Sequence, residues 1–297
     1  MTDSVGYLLA RLELLRARVR RLVEERSGAD PSAGDEYRGL YVPSGTARRL
    51  ATGPGPETVR DPDYERRLAD LAEAVGTGTR LHRLAAAFGL IDLDVEILLV
   101  ALAPDLDRSF EPLYGYLNDD VSRRRACVGL ALDLWGVPVT SAPGRARLAA
   151  GAPLIAGRLV VTQDADRPFL SRGLLVPDRV AAFLLGDDTL DGELTAVVRL
   201  DEGDHADMTS GPAGLAGRLR EGDPALVYLH EARPGAGVAA ARSAAASAGL
   251  PVLVADPERL AVELVPSVLR EATLRGAAVV AGPLPDGGQL LRAFAET

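Results

Sequence analysis

Apolar positions at the start of the chain follow a helical spacing. Six of them recur at alternating steps of three and four residues: Val5, Leu8, Leu12, Leu15, Val19 and Leu22. This spacing predicts a helix over residues 1–26 with a heptad seam of about three repeats. Two interpretations stay open at this point. The seam packs on a helical domain of the same chain, or it binds a protein partner or a second copy.

The helical pattern ends after residue 26. Residues 27–60 are rich in Gly, Pro, Ser, Asp and Thr, and their only apolar run is Leu40-Tyr41-Val42. Such a composition is typical of a linker, because it offers too few apolar side chains for burial.

A second helical region covers residues 61–186 and begins with the helix-start signal Asp61-Pro62-Asp63. Apolar periodicity predicts four helices, near residues 63–74, 80–89, 93–103 and 121–135. Residues 158–161 and 169–176 then predict a two-stranded hairpin, and residues 178–185 predict a closing helix. Helices followed by a hairpin are the layout of a winged-helix domain.

The predicted helices on either side of Gly89-Leu90-Ile91-Asp92 resemble a helix-turn-helix. The second of them is apolar nearly all round and carries Asp92, Asp94 and Glu96 at its beginning. A recognition helix needs donors such as Arg, Asn or Gln at this end to contact bases and phosphates. The acids would repel DNA, so DNA binding is a minor alternative. It would use the basic run Arg123, Arg124 and Arg125, which is otherwise interpreted as a solvated or protein-contact patch.

Strand and helix patterns alternate in the last part of the chain, residues 225–297. Predicted strands cover residues 225–230, 251–255 and 277–281. Predicted helices cover residues 237–248 and 288–295, and a further helix begins at Pro257 and is interrupted at Pro266. Helical crossovers between successive strands imply a parallel three-layer α/β sheet. The whole chain is therefore predicted to be a multidomain α plus α/β protein.

Between these two regions, residues 187–224 are predicted to form an acidic connector, in which residues 195–200 could add a further strand. From residue 187 to residue 231 the sequence has eleven acids and three arginines. This stretch carries nearly all of the formal net charge of −9. The overall acidity argues against a general nucleic-acid surface.

The strand at 225–230 leads into a glycine-containing loop and a helix, which is the context of a phosphate-binding loop. Such a loop needs a lysine for the β and γ phosphates and a hydroxyl for magnesium, next to backbone amides at a helix N-terminus. The chain contains no lysine, and Val238 and Ala239 occupy the lysine and hydroxyl positions. What is left, with Gly235 and Gly237, is a vestigial phosphate loop for which neither bound nucleotide nor catalysis is expected.

Other candidate chemistry is sparse. Asp204, His205 and Asp207 are ligand types suited to a divalent metal, but they lack the spacing of a known loop and are more simply a solvated acidic segment. The single cysteine, Cys127, excludes an internal disulfide and is interpreted as a buried structural thiol. Neither a signal peptide nor an apolar run long enough to cross a membrane is present, so we expect a cytoplasmic protein.

Two segments resemble a known family. The run from Leu81 to Leu90, continuing through Asp94 to Leu99, is similar to the N-terminal region of AAA-family ATPases that are encoded beside phage-tail-like contractile injection systems. The run from Phe169 to Val180, followed by 183–186, is similar to the same region. The resemblance covers residues 61–297 and implies a winged-helix-like region and a degenerate AAA-like module, with ATP and magnesium bound only in a second module downstream.

In that family's strand order, two further strands follow the third. The sheet is then either incomplete, or its three strands pair directly in another order. The resemblance implies a non-catalytic adaptor that places an AAA motor on injection-system components. The alternatives are a winged-helix DNA-binding regulator and a scaffold that self-assembles through Leu8, Leu12, Leu15, Val19 and Leu22.

Overall fold

The computed structural model describes residues 4–29, 62–201, 214–221, 226–231, 233, 235–284 and 288–296. These residues are mostly helical, with two small sheets. The chain divides into two units, unit 1 (Met1–Asp187) and unit 2 (Asp188–Thr297). Most of the predicted linker, residues 30–61, lies outside the described residues, as do the candidate metal ligands Asp204, His205 and Asp207.

Unit 1 is built mainly of helices and has a small antiparallel hairpin near its end. In chain order its elements are α1 (Ser4–Ala29), α2 (Pro62–Val75), α3 (Arg80–Ala87), α4 (Asp92–Leu106), α5 (Phe110–Leu117), α6 (Val128–Leu134), α7 (Ala142–Ala146), α8 (Pro153–Ala156), β1 (Val161–Thr162), β2 (Leu174–Leu175) and α9 (Asp178–Leu185). A short 3-10 helix, Phe169–Ser171, lies between β1 and β2.

The core of unit 1 forms around α4. All residues from Ile97 to Ala103 are at most 1% exposed, because this helix is apolar on every side and neighbouring helices surround it. α1 packs against α2, α3, α4, α6 and α9. The sequence division set residues 1–26 apart from 61–186, but α1 belongs to the same unit as the helices that follow it.

The predicted helix over residues 121–135 is wrong in its first half. Residues 121–127 form turns, and α6 begins only at Val128. Asp120 stabilises the turn by accepting hydrogen bonds from the backbone and the hydroxyl of Ser122, and the Cys127 sulfur then caps α6 at Leu130. Polar side chains that bond to nearby backbone compete with helix formation.

Helix α5 was not predicted. It is only eight residues long and contains Pro112 and Gly115, both of which mark turns in a sequence. Its aromatic residues compensate, because Phe110 and Tyr114 are fully buried and the Tyr114 hydroxyl donates to the carbonyl of Val100 over 2.9 Å. Tertiary packing therefore overrides local propensity here.

Unit 2 contains a three-stranded sheet with helices packed on it. Its elements are β3 (Val198–Asp201), α10 (Leu215–Glu221), α11 (Ala236–Ser247), β4 (Val252–Ala255), α12 (Val265–Arg275), β5 (Ala278–Ala281) and α13 (Gln289–Glu296). A 3-10 turn, Val262–Leu264, precedes α12. The predicted helix from Pro257 is thus replaced by turns, and the α-helix starts just before Pro266, at a position where proline is tolerated.

The sheet order is β3-β4-β5. β4 and β5 are parallel, with Val252 opposite Ala278, as the crossover pattern predicted. β3 is antiparallel to β4, with Val198 opposite Ala255, so the fully parallel sheet is wrong. The predicted connector 187–224 therefore contributes both a strand and the helix α10.

The predicted first strand, residues 225–230, is also wrong. Residues 226–230 belong to no strand, although their apolar composition favours one. Composition alone cannot specify a ladder partner, and β4 is already paired on both sides, by β3 and β5.

Candidate functional site

The helix-turn-helix formed by α3 and α4 has ordinary local geometry. Thr79 caps α3 by accepting a hydrogen bond from the backbone of His82, and Asp94 accepts one from the backbone of Ile91 before α4. The second helix is nonetheless enclosed by its own unit, since residues 97–103 have almost no exposed surface. A buried helix cannot enter a DNA groove, so this motif is part of the core.

The acids at the start of α4 lie in internal ion pairs. Asp94 is fully buried and accepts two hydrogen bonds from Arg147, one of them from Nε over 2.8 Å. Glu96 accepts from Arg11 Nη2 over 2.7 Å and from the Tyr64 hydroxyl over 2.8 Å. Sequence analysis identified both acids as groups that repel DNA, whereas the structure uses them to fasten other elements to α4.

The pair of Glu96 and Arg11 is the most deeply buried ion pair between distant elements of unit 1, among the pairs described. Their side chains are 9% and 6% exposed, and Arg11 also donates to the hydroxyl of Tyr7. Burial raises the pKa of the Glu96 carboxyl, although Arg11 and Tyr64 favour its charged form. Burial likewise raises the pKa of Tyr64. Removing one partner of such a pair would leave an uncompensated buried charge.

A second arrangement in unit 1 has the topology of a winged helix. Cys127 pairs with Gly173 in an antiparallel bridge, and β2 in turn pairs with β1. Between Cys127 and β1 the chain forms the short helices α6, α7 and α8. The segment of α7 and α8, residues 142–156, therefore occupies the place of a recognition helix, and residues 163–173 form the wing.

The surface of this recognition segment is chemically plain. Its strongly exposed residues are all small or cyclic apolar ones: Ala142, Pro143, Ala146, Ala149, Ala150, Gly151 and Ala156. The two arginines within the segment are engaged elsewhere in unit 1. Arg145 donates to the carbonyl of Val139 and lies 4.5 Å from the ring centre of Phe169, and Arg147 binds Asp94. Direct readout of bases needs exposed donors and acceptors, and this surface has none in its described side chains.

The wing is acidic at its tip. Asp164 and Asp166 are exposed, while Arg167 lies 3.5 Å from Asp164. Asp164 also adopts the left-handed conformation, with φ of 55°, which Asp tolerates better than most residues. A wing that tracks a phosphate backbone needs net positive charge, so this one does not suit that role.

The run Arg123, Arg124 and Arg125 was predicted to lie at a helix end and to contact DNA or a protein. It lies in the loop before α6, and each guanidinium faces an acid: Asp120 for Arg123, Glu111 for Arg124 and Asp105 for Arg125. Arg125 makes two parallel bonds to Asp105, at 2.8 and 2.9 Å. Arg124 is the exception in exposure, since its side chain is 69% exposed and its contact with Glu111 is long, at 3.4 Å.

The predicted N-terminal seam is buried within unit 1. Leu8, Leu12, Leu15, Val19 and Leu22 are between 0% and 6% exposed. The structure therefore agrees with the packing interpretation of the seam, and these side chains are not at the surface of this conformation. Polar anchors reinforce the packing, since Arg26 donates to Asp133 over 2.7 Å and Arg18 lies over the ring of Trp135.

In unit 2, the vestigial phosphate loop is occupied by a side chain of the same chain. The carboxylate of Glu231 accepts hydrogen bonds from the backbone of Gly235 at 3.0 Å and of Gly237 at 2.7 Å. Gly235 has φ of 83°, which its lack of a side chain permits, and α11 begins directly after it. The amides that would receive a phosphate thus hold a carboxylate instead. Sequence analysis did not single out Glu231, although an acid shortly before a helix start is a recognisable capping signal.

No group of three or more metal-ligating side chains occurs in the part of the chain that the structure describes. Cys127 is half-buried, and burial raises the pKa of its thiol, which donates to Asn118 Oδ1 over 3.1 Å. A cleft of 630 Å³ lies beside α5, with Pro112, Tyr116 and Val121 in its lining and Arg108 and Arg124 at the side. Nothing in its geometry assembles a catalytic constellation.

Comparison with known proteins identifies one family. The model of the family described as winged helix domain, variant, matches residues 2–198. The match covers unit 1, from α1 to the wing and α9, and reaches the first residue of β3. No curated protein and no solved structure matches the chain. Among the described residues, no helix is long and apolar enough to cross a membrane.

Proposed function

The chain belongs to the family of variant winged helix domains, and from this membership we propose that it is a non-catalytic regulatory module that binds protein. A winged helix domain suggests either a regulatory or a DNA-binding role. One observation favours the first role. The recognition segment, residues 142–156, exposes only Ala, Gly and Pro, and the wing beside it carries two exposed acids.

The charges of unit 1 support the same proposal. Arg11, Arg145 and Arg147 would be natural phosphate contacts if they were exposed, but each binds a group of its own unit. Freeing them would break ion pairs or hydrogen bonds at a cost in stability. A surface of small apolar residues instead allows close approach of another protein, since it has little polar surface to desolvate.

Unit 2 is proposed to be non-catalytic as well. Glu231 places negative charge where a nucleotide would place its phosphates, and neither a lysine nor a hydroxyl is available at Val238 and Ala239. A nucleotide would have to displace a carboxylate that is covalently part of the loop and therefore always close. We expect no binding of ATP tighter than millimolar, with or without magnesium.

A narrower proposal names the setting. Residues 81–99 and 169–186 resemble the N-terminal region of AAA-family ATPases of contractile injection systems, and the decayed phosphate loop fits a module kept for contacts. We propose that the chain acts in the cytoplasm as an adaptor for such an ATPase. This proposal rests on the resemblance alone, since the family match carries only the winged helix domain.

Two measurements test the regulatory role. In a mobility-shift assay at low salt with mixed duplex DNA, we expect no complex, and a salt-sensitive shift that is lost in an Arg123→Ala, Arg124→Ala, Arg125→Ala variant would establish DNA binding instead. Calorimetry with ATP and magnesium should give no heat of binding. A micromolar site or measurable turnover would overturn the non-catalytic assignment.

The narrower proposal needs its own experiment. The purified chain is mixed with purified AAA motor, sheath and tube proteins of a contractile system from the same genome. A stoichiometric complex with the motor or with the sheath is the expected result. If the chain passes all of these proteins on a sizing column without association, the injection-system setting is wrong while the regulatory role is unaffected.

A further inference from the structure

Unit 2 leaves a short apolar segment at its surface. In the segment 226–230, Leu226 is 55% exposed, Val227 37% and Tyr228 65%. Single exposed apolar residues are common, but three consecutive large ones in a row mark an interaction site or an aggregation hazard. Val and Tyr also favour extended backbone, and the segment forms no strand in the described structure.

The same unit has an open sheet edge. β5 is the last strand in the order β3-β4-β5, so it pairs on one side only within the described residues. Ala278 donates its backbone N–H to the carbonyl of Pro251 over 2.9 Å, on the β4 side. Because successive residues of a strand face opposite sides, Val279 and Ala281 direct their backbone groups to the open edge.

This edge lacks the usual protection against pairing. The residues from Ala278 to Ala281 are all apolar and include no charge, proline or bulge that would block another strand. Both faces of β5 are already covered, since Val280 packs with Ala245 of α11 on one face and Val279 packs with the cluster around α12 on the other. An added strand would therefore extend an existing core.

The position of α11 gives the direction of pairing. Val238, in the first turn of α11, lies 3.2 Å from the place that a Cβ on Gly282 would take, directly after β5. The segment 226–230 leads into the same first turn, where Glu231 holds the backbone of Gly237. A strand formed by this segment would end at the level where β5 ends.

We propose that the segment 226–230 of one copy adds to the β5 edge of a second copy, and that the exchange is reciprocal. Each copy then offers both a strand donor and a strand acceptor, and a twofold dimer pairs all four elements. The lengths match, because five residues of the donor meet the four residues of β5. This inference concerns unit 2 and does not depend on the role proposed for unit 1.

The occupant is a second copy because the chain itself contains the complementary element. The donor segment is apolar at the positions that would face the two covered layers, and it carries no charge between Leu226 and Leu229. Pairing removes the exposed side chains of Val227 and Tyr228 from water and satisfies the free edge in the same step.

Light scattering on a sizing column tests the proposal with the full chain. The mass of the unmodified protein should rise from one chain to two as its concentration increases. Val227→Asp should raise the dimer dissociation constant at least about tenfold, because a charge would enter the new sheet layer. Val262→Asp is the matched control, since Val262 is also 37% exposed and lies in the same unit, and it should leave the dissociation constant unchanged.

A cross-linking experiment locates the contact. In a Cys127→Ser background, one preparation carries Tyr228→Cys and another carries Ala281→Cys, and the two are mixed with a short bismaleimide. A covalent dimer should form in this mixture and not when Val262→Cys replaces Ala281→Cys. A constant monomer mass at all concentrations would overturn the proposal. So would a dimer that Val227→Asp and Val262→Asp affect equally, because it would use another surface.

Discussion

The carboxylate of Glu231 lies 2.7 Å from the backbone nitrogen of Gly237 and also accepts from Gly235. A side chain therefore caps a helix from outside its first turn and carries the negative charge that this end attracts. The contact makes the loop before α11 self-sufficient, since its amides need no external anion.

Loss of this cap should destabilise unit 2. Glu231→Ala should lower its free energy of unfolding by about 0.5–2 kcal/mol, the usual range for removal of a helix cap. Glu231→Gln should cost less, because one amide oxygen still accepts. Urea titration followed by circular dichroism measures the change. Glu258→Ala removes an exposed acid of the same unit and serves as control. Equal effects of Glu231→Ala and Glu258→Ala would show that the cap contributes nothing.

The buried pair of Arg11 and Glu96 gives a larger effect. Arg11→Met should destabilise unit 1 by about 3–5 kcal/mol, because Glu96 would remain buried without its cation. The double variant Arg11→Met, Glu96→Met should recover much of this loss. Arg16→Met breaks the partly exposed pair with Asp107 and should cost at most about 1 kcal/mol. A double variant as unstable as Arg11→Met alone would contradict this account.

The same variant should respond to pH in a defined direction. Burial already raises the pKa of Glu96 in the folded state, and loss of Arg11 removes the largest opposing effect. A raised folded pKa favours the protonated form on folding, so its contribution is present at low pH and lost as pH rises through the folded pKa. Arg11→Met should therefore lose less stability, relative to the unmodified protein, near pH 4.5 than near pH 7.5. An unchanged difference between the two pH values would exclude titration of Glu96.

His82 should make unit 1 less stable in mild acid. Burial lowers the pKa of His82, and the charge of Arg11 adds to the effect. The ring also lies against Tyr7, with centroids 4.8 Å apart. The unfolded chain then binds a proton at higher pH than the folded one, so stability falls as pH drops from about 6.5 towards the folded pKa. His82→Gln should remove this part of the slope in a series of urea titrations. A slope that persists in full would assign it to other groups.

The thiol of Cys127 should be unreactive in the folded protein. Burial raises its pKa, and its sulfur caps α6 while donating to Asn118. Because only the thiolate attacks disulfide reagents, reaction with a chromogenic disulfide near pH 8 should be much slower in buffer than in denaturant. Cys127→Ser should keep the cap, whereas Cys127→Ala should lose about 1 kcal/mol of stability. Similar reaction rates in buffer and in denaturant would place the thiol at the surface.

Elements with strong periodicity were predictable from the sequence. The helix predicted over residues 178–185 is α9, and the predicted strands near 251–255 and 277–281 became β4 and β5. In each case the apolar pattern matches what the element buries, and Gly186 ends α9 in the left-handed conformation that glycine favours. Local pattern and tertiary environment agree at these places.

Predictions failed where partners decide the outcome. The segment 226–230 has the composition of a strand and no ladder, since pairing depends on residues distant in sequence. The N-terminal seam fits a coiled coil as well as a core helix, and only the helices around it distinguish these alternatives. Asp94 and Glu96 look like surface charges, because sequence does not reveal that Arg147 and Arg11 meet them from 53 and 85 residues away.

The burial of α1 affects how the chain can fold during synthesis. α1 leaves the ribosome first, but it packs against helices as far along the chain as α9, which ends at Leu185. Its apolar seam therefore has no complete binding surface until more than half of the chain has been made. Sequential folding from the N-terminus is excluded for this unit, and the newly made seam depends on chaperones or on the pace of translation to avoid wrong contacts.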